Sequence, residues 1–209
     1  MLSVAAIRGI LQCYNLNASD VLCEQVRSYI ELLLRWNKRL SLTSVATSEE
    51  IVKYHFAESF LATAACQSLD GRLADVGSGA GFPGLALKMY VPSLRVSLIE
   101  SNLRKCVFLA EVIRALELED TDVICSRYED LESSTKPFNF VSARALGAIR
   151  SLLEWMATAI PDHGRALLWL GATGVDEASV FPNWAWDPPF AIPRTKGRFI
   201  LVGSPKITS

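Results

Sequence analysis

The stretch that most constrains the fold is an apolar run that leads directly into a glycine-rich loop, Leu73-Ala74-Asp75-Val76-Gly77-Ser78-Gly79-Ala80-Gly81-Phe82-Pro83-Gly84. Glycines at alternate positions let the backbone turn sharply and let a ligand lie directly against it. Pro83 suits the start of a helix, where its missing N–H donor is not needed. In an open α/β sheet, ligands bind at the carboxyl ends of the strands, where such a loop lies. The stretch therefore predicts a strand, a ligand-binding loop and a helix.

From Arg72 onward, short apolar runs typical of buried strands alternate with longer amphipathic stretches. This alternation predicts βαβ units and a mainly parallel, doubly wound sheet. The predicted strands are Arg72–Val76, Arg95–Ile99, Thr121–Cys125, Phe138–Ser142, Arg165–Leu170 and Phe199–Val202. The proline-rich stretch from Thr173 to Lys196 shows no periodicity, and we expect it to be a long connection to a final edge strand.

The first 66 residues show helical patterns and no strand pattern. Between Leu22 and Leu40, apolar residues recur at spacings of three and four, which places them on one helix face. Thr47-x-x-Glu50 has the form of a capping box at the start of a further helix. The sequence thus predicts a helical N-terminal subdomain of residues 1–66, followed by a ligand-binding domain of residues 67–209.

Composition excludes several classes of protein. Half of the 209 residues are hydrophobic, so the chain can bury a substantial core. No uninterrupted apolar stretch reaches about 18 residues and no signal-peptide pattern precedes the first helix, so we expect a cytoplasmic protein. Five cysteines without a C-x-x-C pair and only two histidines predict neither disulfides nor a metal site. A net charge of −1 excludes nucleic-acid binding by bulk positive charge, but allows a local basic face.

Two ligand classes fit the glycine loop. Gly79 to Gly84 matches the dinucleotide fingerprint G-x-G-x-x-G, which leaves an NAD-dependent oxidoreductase open. Asp75, at the strand end, would repel a diphosphate but tolerate the cationic groups of S-adenosylmethionine. Glu100 ends the next strand, close to the spacing of about 20 residues at which an acid meets ribose hydroxyls. The residues therefore favour S-adenosylmethionine.

The loop and the segments after it resemble the RsmG (GidB-type) family of ribosomal RNA small-subunit methyltransferases. The likeness is strongest between about residue 30 and residue 150. Beyond the loop it rests on Leu98-Ile99-Glu100-Ser101, Arg104-Lys105, Ser126-Arg127-Tyr128-Glu129 and Val141-Ser142-Ala143-Arg144-Ala145.

The resemblance implies a Rossmann-like class I methyltransferase fold, with a seven-stranded, mostly parallel sheet flanked by helices and a helical N-terminal cap. It implies methylation, from S-adenosylmethionine, of N7 of one guanine in 16S ribosomal RNA, with the RNA or the small ribosomal subunit as partner. We expect the enzyme to be a monomer. Arg144 follows the fourth strand and is the candidate catalytic residue, near the reacting methyl group. The expected cofactor-binding set is Asp75, Gly77, Gly79, Gly81, Phe82, Glu100, Ser101, Tyr128, Glu129 and Arg144.

One position departs from the family pattern. The family often has a lysine just before the glycine that follows the fifth strand, whereas this chain has Leu170 before Gly171. Methylation of another RNA or of a small molecule, and a non-catalytic nucleic-acid-binding module on the same fold, stay open as alternatives. No acidic residue follows Asp187, so the basic residues beyond it are candidates for a phosphate-binding face.

Overall fold

The computed structural model describes residues 1–66, 68–131, 138–144, 147, 149–161 and 163–206. These residues form a sheet of eight strands. The strands are β1 (Arg72–Val76), β2 (Arg95–Ile99), β3 (Thr121–Ile124), β4 (Phe140–Arg144), β5 (Arg165–Gly171), β6 (Trp184–Trp186), β7 (Phe190–Ala191) and β8 (Arg198–Pro205). Their order is β3-β2-β1-β4-β5-β8-β6, and β7 also pairs with β8. The first five strands are parallel, and β8 runs antiparallel to β5.

Helices precede the sheet and connect its strands. The N-terminal part contains α1 (Val4–Gln12), α2 (Asp20–Leu40), α3 (Ser48–Ile51), a π-helical segment (Val52–Ala57), α4 (Glu58–Phe60) and α5 (Ala62–Ala65). Between and after the strands lie α6 (Gly84–Tyr90), α7 (Leu103–Ala115), a 3₁₀ turn (Tyr128–Asp130), α8 (Ile149–Ala159) and α9 (Ala172–Ser179). Among the residues that the structure describes, none of these helices has the length and apolarity to cross a membrane.

Both faces of the sheet are covered, because successive strand residues point to opposite sides. Leu167 and Trp169 of β5 belong to one core cluster, and Ala166 and Leu168 belong to another. The first cluster includes side chains of α1, α2, α6 and α7, and the second includes side chains of α8 and α9. This arrangement confirms the predicted Rossmann-like class of fold.

The first core cluster also crosses the predicted boundary between the two domains. It joins Ile7, Leu33 and Phe56 of the N-terminal helices to Leu73 of β1 and Leu85 of α6. Residue 67, where the second domain was predicted to begin, lies outside the described residues, as do Ala145 and Ala148. The division into two domains therefore stays a prediction, and the two parts share apolar packing.

The predicted number of strands, seven, is wrong, and so is the interpretation of the stretch from Thr173 to Lys196. That stretch contains most of α9 and the short strands β6 and β7, and β8 lies between β5 and β6 instead of at the edge. Strands of three and two residues are too short for a period-2 pattern to register. A side-chain hydrogen bond also holds β6 in place, because Nε1 of Trp186 donates to the carbonyl of Ala178 in α9 at 3.0 Å.

The strand order reverses between β1 and β4, and this point defines where a ligand can bind. In open α/β sheets a crevice forms at such a point, outside the carboxyl ends of the strands. The glycine loop follows β1 there, Glu100 follows β2, and Arg144 ends β4. Because β8 is antiparallel, its first residue, Arg198, lies at the same edge, opposite Gly171.

A substitution at Gly81 can test how tightly this loop is packed. A Cβ at Gly81 would lie 2.1 Å from Oη of Tyr29 and 2.7 Å from Cδ1 of Leu85, and its φ of +83° disfavours other residues. We expect Gly81→Ala to lower the free energy of unfolding by about 2–4 kcal/mol in urea titrations. Gly9→Ala in α1 is the control, because a methyl group there would meet nothing within 4 Å and helix propensity favours alanine by about 1 kcal/mol. Equal effects of the two variants would contradict this packing.

Candidate active site

The glycine loop folds back against the end of β2. The amides of Gly77 and Ser78 donate to the carbonyl of Ile99 at 2.8 and 3.2 Å. Gly77, Gly79 and Gly81 have φ values of 67°, 55° and 83°, in the left-handed region that favours glycine. The alternating glycines therefore serve a loop that turns sharply at the carboxyl edge of the sheet.

Glu100 supports the loop through its carboxylate. Its Oε2 accepts from the amide of Gly79 at 2.9 Å, and its Oε1 accepts from the amide of Asn102 at 2.8 Å. The side chain is buried, so its position is fixed before any ligand arrives. Each carboxylate oxygen can accept more than one hydrogen bond, so each keeps acceptor capacity beyond these two amides.

A cleft of about 240 Å³ opens between the loop and the turn after β3. Four residues of the predicted cofactor set line this cleft: Gly77, Ser101, Tyr128 and Glu129. Ile99, Ser126 and Arg127 complete the lining. The Tyr128 ring packs edge-on against Trp155, with the ring centroids 5.4 Å apart, and its hydroxyl lies 3.3 Å from Oγ of Ser151. A flat ring beside hydroxyl and carboxylate groups suits a nucleoside.

Asp75 lies behind the loop and does not face this cleft. It is fully buried, its Oδ2 accepts from the amide of Gly84 at 3.1 Å, and its Oδ1 accepts from Oγ of Ser142 at 2.7 Å. Burial raises the pKa of Asp75 from 3.8 to about 6, against the opposing effect of these hydrogen bonds. The structure therefore gives Asp75 a role in shaping the loop, and its contact with the ligand stays a prediction.

Phe82 also faces away from the cleft, towards the N-terminal helices. Its ring stacks on Tyr29 and on His55, with centroid distances of 5.3 and 4.7 Å. The hydroxyl of Tyr29 donates to the carbonyl of Ala80 at 2.7 Å. Gly81 is buried beneath Tyr29. Gly81 and Phe82, both predicted to bind the cofactor, thus join the loop to α2 and the π-helical segment.

His55 lies in that π-helical segment, a rare geometry that is frequent at functional sites. Its Nε2 is 2.8 Å from Oγ1 of Thr43. Burial is the main cause that lowers the pKa of His55 from 6.5 to about 3, and the charges of Arg144 and Arg198 contribute to this shift. The imidazole is therefore neutral at physiological pH and packs on Phe82.

Arg144 is held by the N-terminal part of the chain. Its Nη2 donates to the carbonyl of Tyr54 at 2.7 Å and lies 3.1 Å from Oε2 of Glu58. The other oxygen of Glu58 lies 2.8 Å from Nη1 of Arg198. Burial raises the pKa of Glu58, and the two guanidinium groups oppose this shift. Glu58, which is fully buried, thus joins β4 and β8 to the helix that follows the π-helical segment.

The structure divides the predicted site residues into three groups. Gly77, Ser101, Tyr128 and Glu129 line the cleft, with Gly79 and Glu100 at its edge. Asp75, Gly81 and Phe82 support the loop from behind, and Arg144 borders a second cavity, shared with Arg198. Sequence reasoning missed Glu58 and included Arg198 only among the basic residues beyond Asp187. The one signal for Glu58 was a carboxylate within the apolar run Phe56-Ala57-Glu58-Ser59-Phe60.

The strand order, the glycine loop and the acid after β2 define a Rossmann-like methyltransferase. A family model described as "GidB: rRNA small subunit methyltransferase G" matches residues 22–184. The chain therefore belongs to this family, which confirms the resemblance found in the sequence. The family and the fold also confirm the predicted enzyme class, a methyltransferase that depends on S-adenosylmethionine.

Individual relatives agree with the family model. "Ribosomal RNA small subunit methyltransferase G" of Xylella fastidiosa is 35% identical over 178 residues, which cover 84% of this chain and 82% of the relative. The protein of the same name from Aquifex aeolicus is 44% identical over 131 residues, covering 60% of this chain and 65% of the relative. The ribosomal protein L11 methylase of Lactobacillus delbrueckii subsp. bulgaricus has a similar fold, with a TM-score of 0.59, 17% identity and coverage of 74% and 80%.

The buried position of Asp75 predicts a pH-dependent stability. Because its native pKa of about 6 exceeds the ordinary value of 3.8, the native state binds more protons in this interval and loses stability as the pH rises through it. Asparagine does not titrate. From pH 4 to pH 7.5, we expect the stability of Asp75→Asn relative to the wild type to increase by about 2.5 kcal/mol, at about 1.4 kcal/mol per unit of pKa. Urea titrations across this range measure it, and a difference that is constant with pH would contradict it.

Proposed function

We propose that the protein transfers the methyl group of S-adenosylmethionine to N7 of a guanine in 16S ribosomal RNA. The observation that carries the proposal is the family match over residues 22–184, combined with a nucleoside-sized cleft between the glycine loop and Tyr128. The named relatives are ribosomal RNA small-subunit methyltransferases. We further propose a cytoplasmic enzyme, because its proposed substrate is the RNA of the bacterial small subunit, and a monomeric one.

The residues around the cleft fit the donor that the class requires. We place the ribose near Glu100, the adenine against Tyr128, and the amino acid part along Gly77 and Gly79. Ser101 and Glu129 would supply further hydrogen-bonding groups, as they line the same cleft. S-adenosylmethionine supplies an electrophilic methyl group on a sulfonium.

The proposed reaction requires little acid–base catalysis by the protein. N7 of guanine has a free in-plane lone pair, so it attacks a methyl carbon without losing a proton first. The protein then has to align nucleophile and donor and exclude water. Neutral His55 and the ion-paired Arg144 fit this requirement, since neither is presented as a free base. In this proposal Arg144 acts by holding an anionic group near the acceptor, as its position at the end of β4 allows.

The other functions left open by the sequence have less support. The hypothesis of an NAD-dependent oxidoreductase rested on the formal G-x-G-x-x-G match. The family assignment favours a methyltransferase instead. Methylation of another RNA or of a small molecule would keep the same donor cleft. A non-catalytic nucleic-acid-binding module has no need of the fixed acid at Glu100 or of the shaped cleft.

Methyl transfer to the small subunit tests the proposal directly. We expect purified protein to transfer labelled methyl groups to small subunits, or to 16S RNA, from cells that lack this enzyme. Reduction and aniline cleavage, which break the chain at 7-methylguanosine, should then produce one new stop in primer extension. Transfer to a small molecule alone, or modification at another atom, would refute the proposed substrate while leaving the donor assignment intact.

Glu100 provides a second test, restricted to the donor. We expect Glu100→Gln to weaken S-adenosylmethionine affinity about 10- to 100-fold in calorimetry, because charge-assisted hydrogen bonds to a carboxylate contribute about 1.5–3 kcal/mol. Asp130→Asn is the matched control, since Asp130 is exposed and follows the cleft residue Glu129 without contacting the loop. An unchanged affinity in Glu100→Gln would show that the ribose does not bind there.

A further inference from the structure

A second cavity lies beside Arg144, away from the donor cleft. It has a volume of about 200 Å³ and is lined by residues of β4, β5 and β8 and of the segment before β8: Arg144, Trp169, Leu170, Gly171, Ile192, Arg198 and Phe199. Both charged residues in this lining are arginines. The cavity is at the carboxyl edge of the sheet, where β8 begins opposite the end of β5.

The two arginines are not fully used by the protein. Nη2 of Arg144 donates to the carbonyl of Tyr54 and forms an ion pair with Glu58. Its buried Nη1 has no hydrogen-bond partner among the described residues. Arg198 contacts Glu58 through Nη1, and 39% of its side chain is exposed. One carboxylate thus faces two guanidinium groups, which leaves a net charge of +1 at the cavity. A buried donor without a partner is costly and indicates a ligand that supplies an acceptor.

The N-cap residue of α9, Gly171, also lines the cavity. The helix has eight residues, and its glycine N-cap offers no side-chain hydrogen bond to the first turn. Free amides at a helix N-terminus favour an anion. Leu170 stands where the family often has a lysine, and Arg198, opposite the next residue Gly171, brings a cation close to it from the neighbouring strand.

From the cavity, the unpartnered Nη1 and the second arginine, we infer that Arg144, Arg198 and the N-terminus of α9 form a binding site for a backbone phosphate of the RNA substrate. The inference rests on the proposed function and adds a specific contact to it. The donor cleft lies over β1, β2 and β3, whereas this cavity lies over β4, β5 and β8. In this inference the acceptor base lies between these halves, with its phosphate held at Arg144. The carboxylate of S-adenosylmethionine has the same anionic chemistry and is the competing occupant.

Two variants test the site by different physical means. Arg198→Gln removes one cation, and Ala172→Asp places a negative charge in the first turn of α9, where it suits the helix but repels a phosphate. For each variant, we expect KM for undermethylated small subunits to rise about tenfold. We also expect the slope of log affinity for 16S RNA against log salt to fall by about one, as for one lost phosphate contact. S-adenosylmethionine affinity should stay within about twofold of the wild type.

The controls repeat each charge change elsewhere. Arg95→Gln removes an exposed cation at the opposite, amino-terminal edge of β2, and Val21→Asp adds an acid to the first turn of α2 at a side chain that is 70% exposed. We expect both controls to keep the wild-type KM and salt dependence. Circular dichroism and urea titrations verify that the Arg198 and Ala172 variants are folded.

The outcomes separate the inference from the proposed function. If the wild type methylates the RNA but both site variants keep its KM and salt slope, the phosphate site is wrong and the function stands. Weaker S-adenosylmethionine binding in both variants would assign the cavity to the donor carboxylate and overturn the inference. If the wild type binds S-adenosylmethionine but transfers nothing to small subunits or 16S RNA, the proposed function fails, and direct RNA binding still decides whether the cavity holds a phosphate.

Discussion

The arrangement of the site depends on one buried carboxylate, Glu58, held between Arg144 and Arg198. A charge in this position carries a large desolvation cost, which only close, well-placed partners offset. Glu58 is reached from a third direction, because Nε1 of Trp169 donates to its backbone carbonyl at 2.9 Å. The carboxylate and this carbonyl thus attach one turn of helix to β4, β5 and β8. These contacts fix the N-terminal helices over this half of the carboxyl edge of the sheet.

The glycine loop is fixed separately, from both of its sides. On one side, Asp75 accepts hydrogen bonds from Gly84 and Ser142, and on the other, Phe82 is stacked between Tyr29 and His55. Glu100 holds Gly79 from the direction of the cleft. A loop fixed in this way needs little reorganisation when a ligand binds, so less binding energy is spent on ordering it. The N-terminal helices are therefore part of the active site, although they line little of the donor cleft.

The sequence was sufficient where the decisive interactions are local. Strand β1, the glycine loop and Glu100 follow one another closely, and their patterns predicted both the strands and the cleft at their ends. A single sequence does not show which carboxylate of a buried strand end points inward, so it could not reveal the hydrogen bonds of Asp75 to Gly84 and Ser142. Glu58 meets Arg144 and Arg198 only through the tertiary fold, and no periodicity relates such distant positions. The short strands β6 and β7 were not predicted for a different reason, since their residues are too few to form a recognisable pattern.

The charge distribution explains how a chain with a net charge of −1 can select a polyanionic substrate. Bulk attraction is absent, so binding has to come from a few cations held in fixed positions. Glu58 lowers the net charge at the second cavity, and it also orients both guanidinium groups, which favours one well-placed phosphate over many loosely held ones. Such a site binds tightly an RNA whose backbone already has the matching shape, and it binds other RNA weakly. Selectivity would then depend on the folded form of the substrate, with the chemistry at N7 needing only alignment.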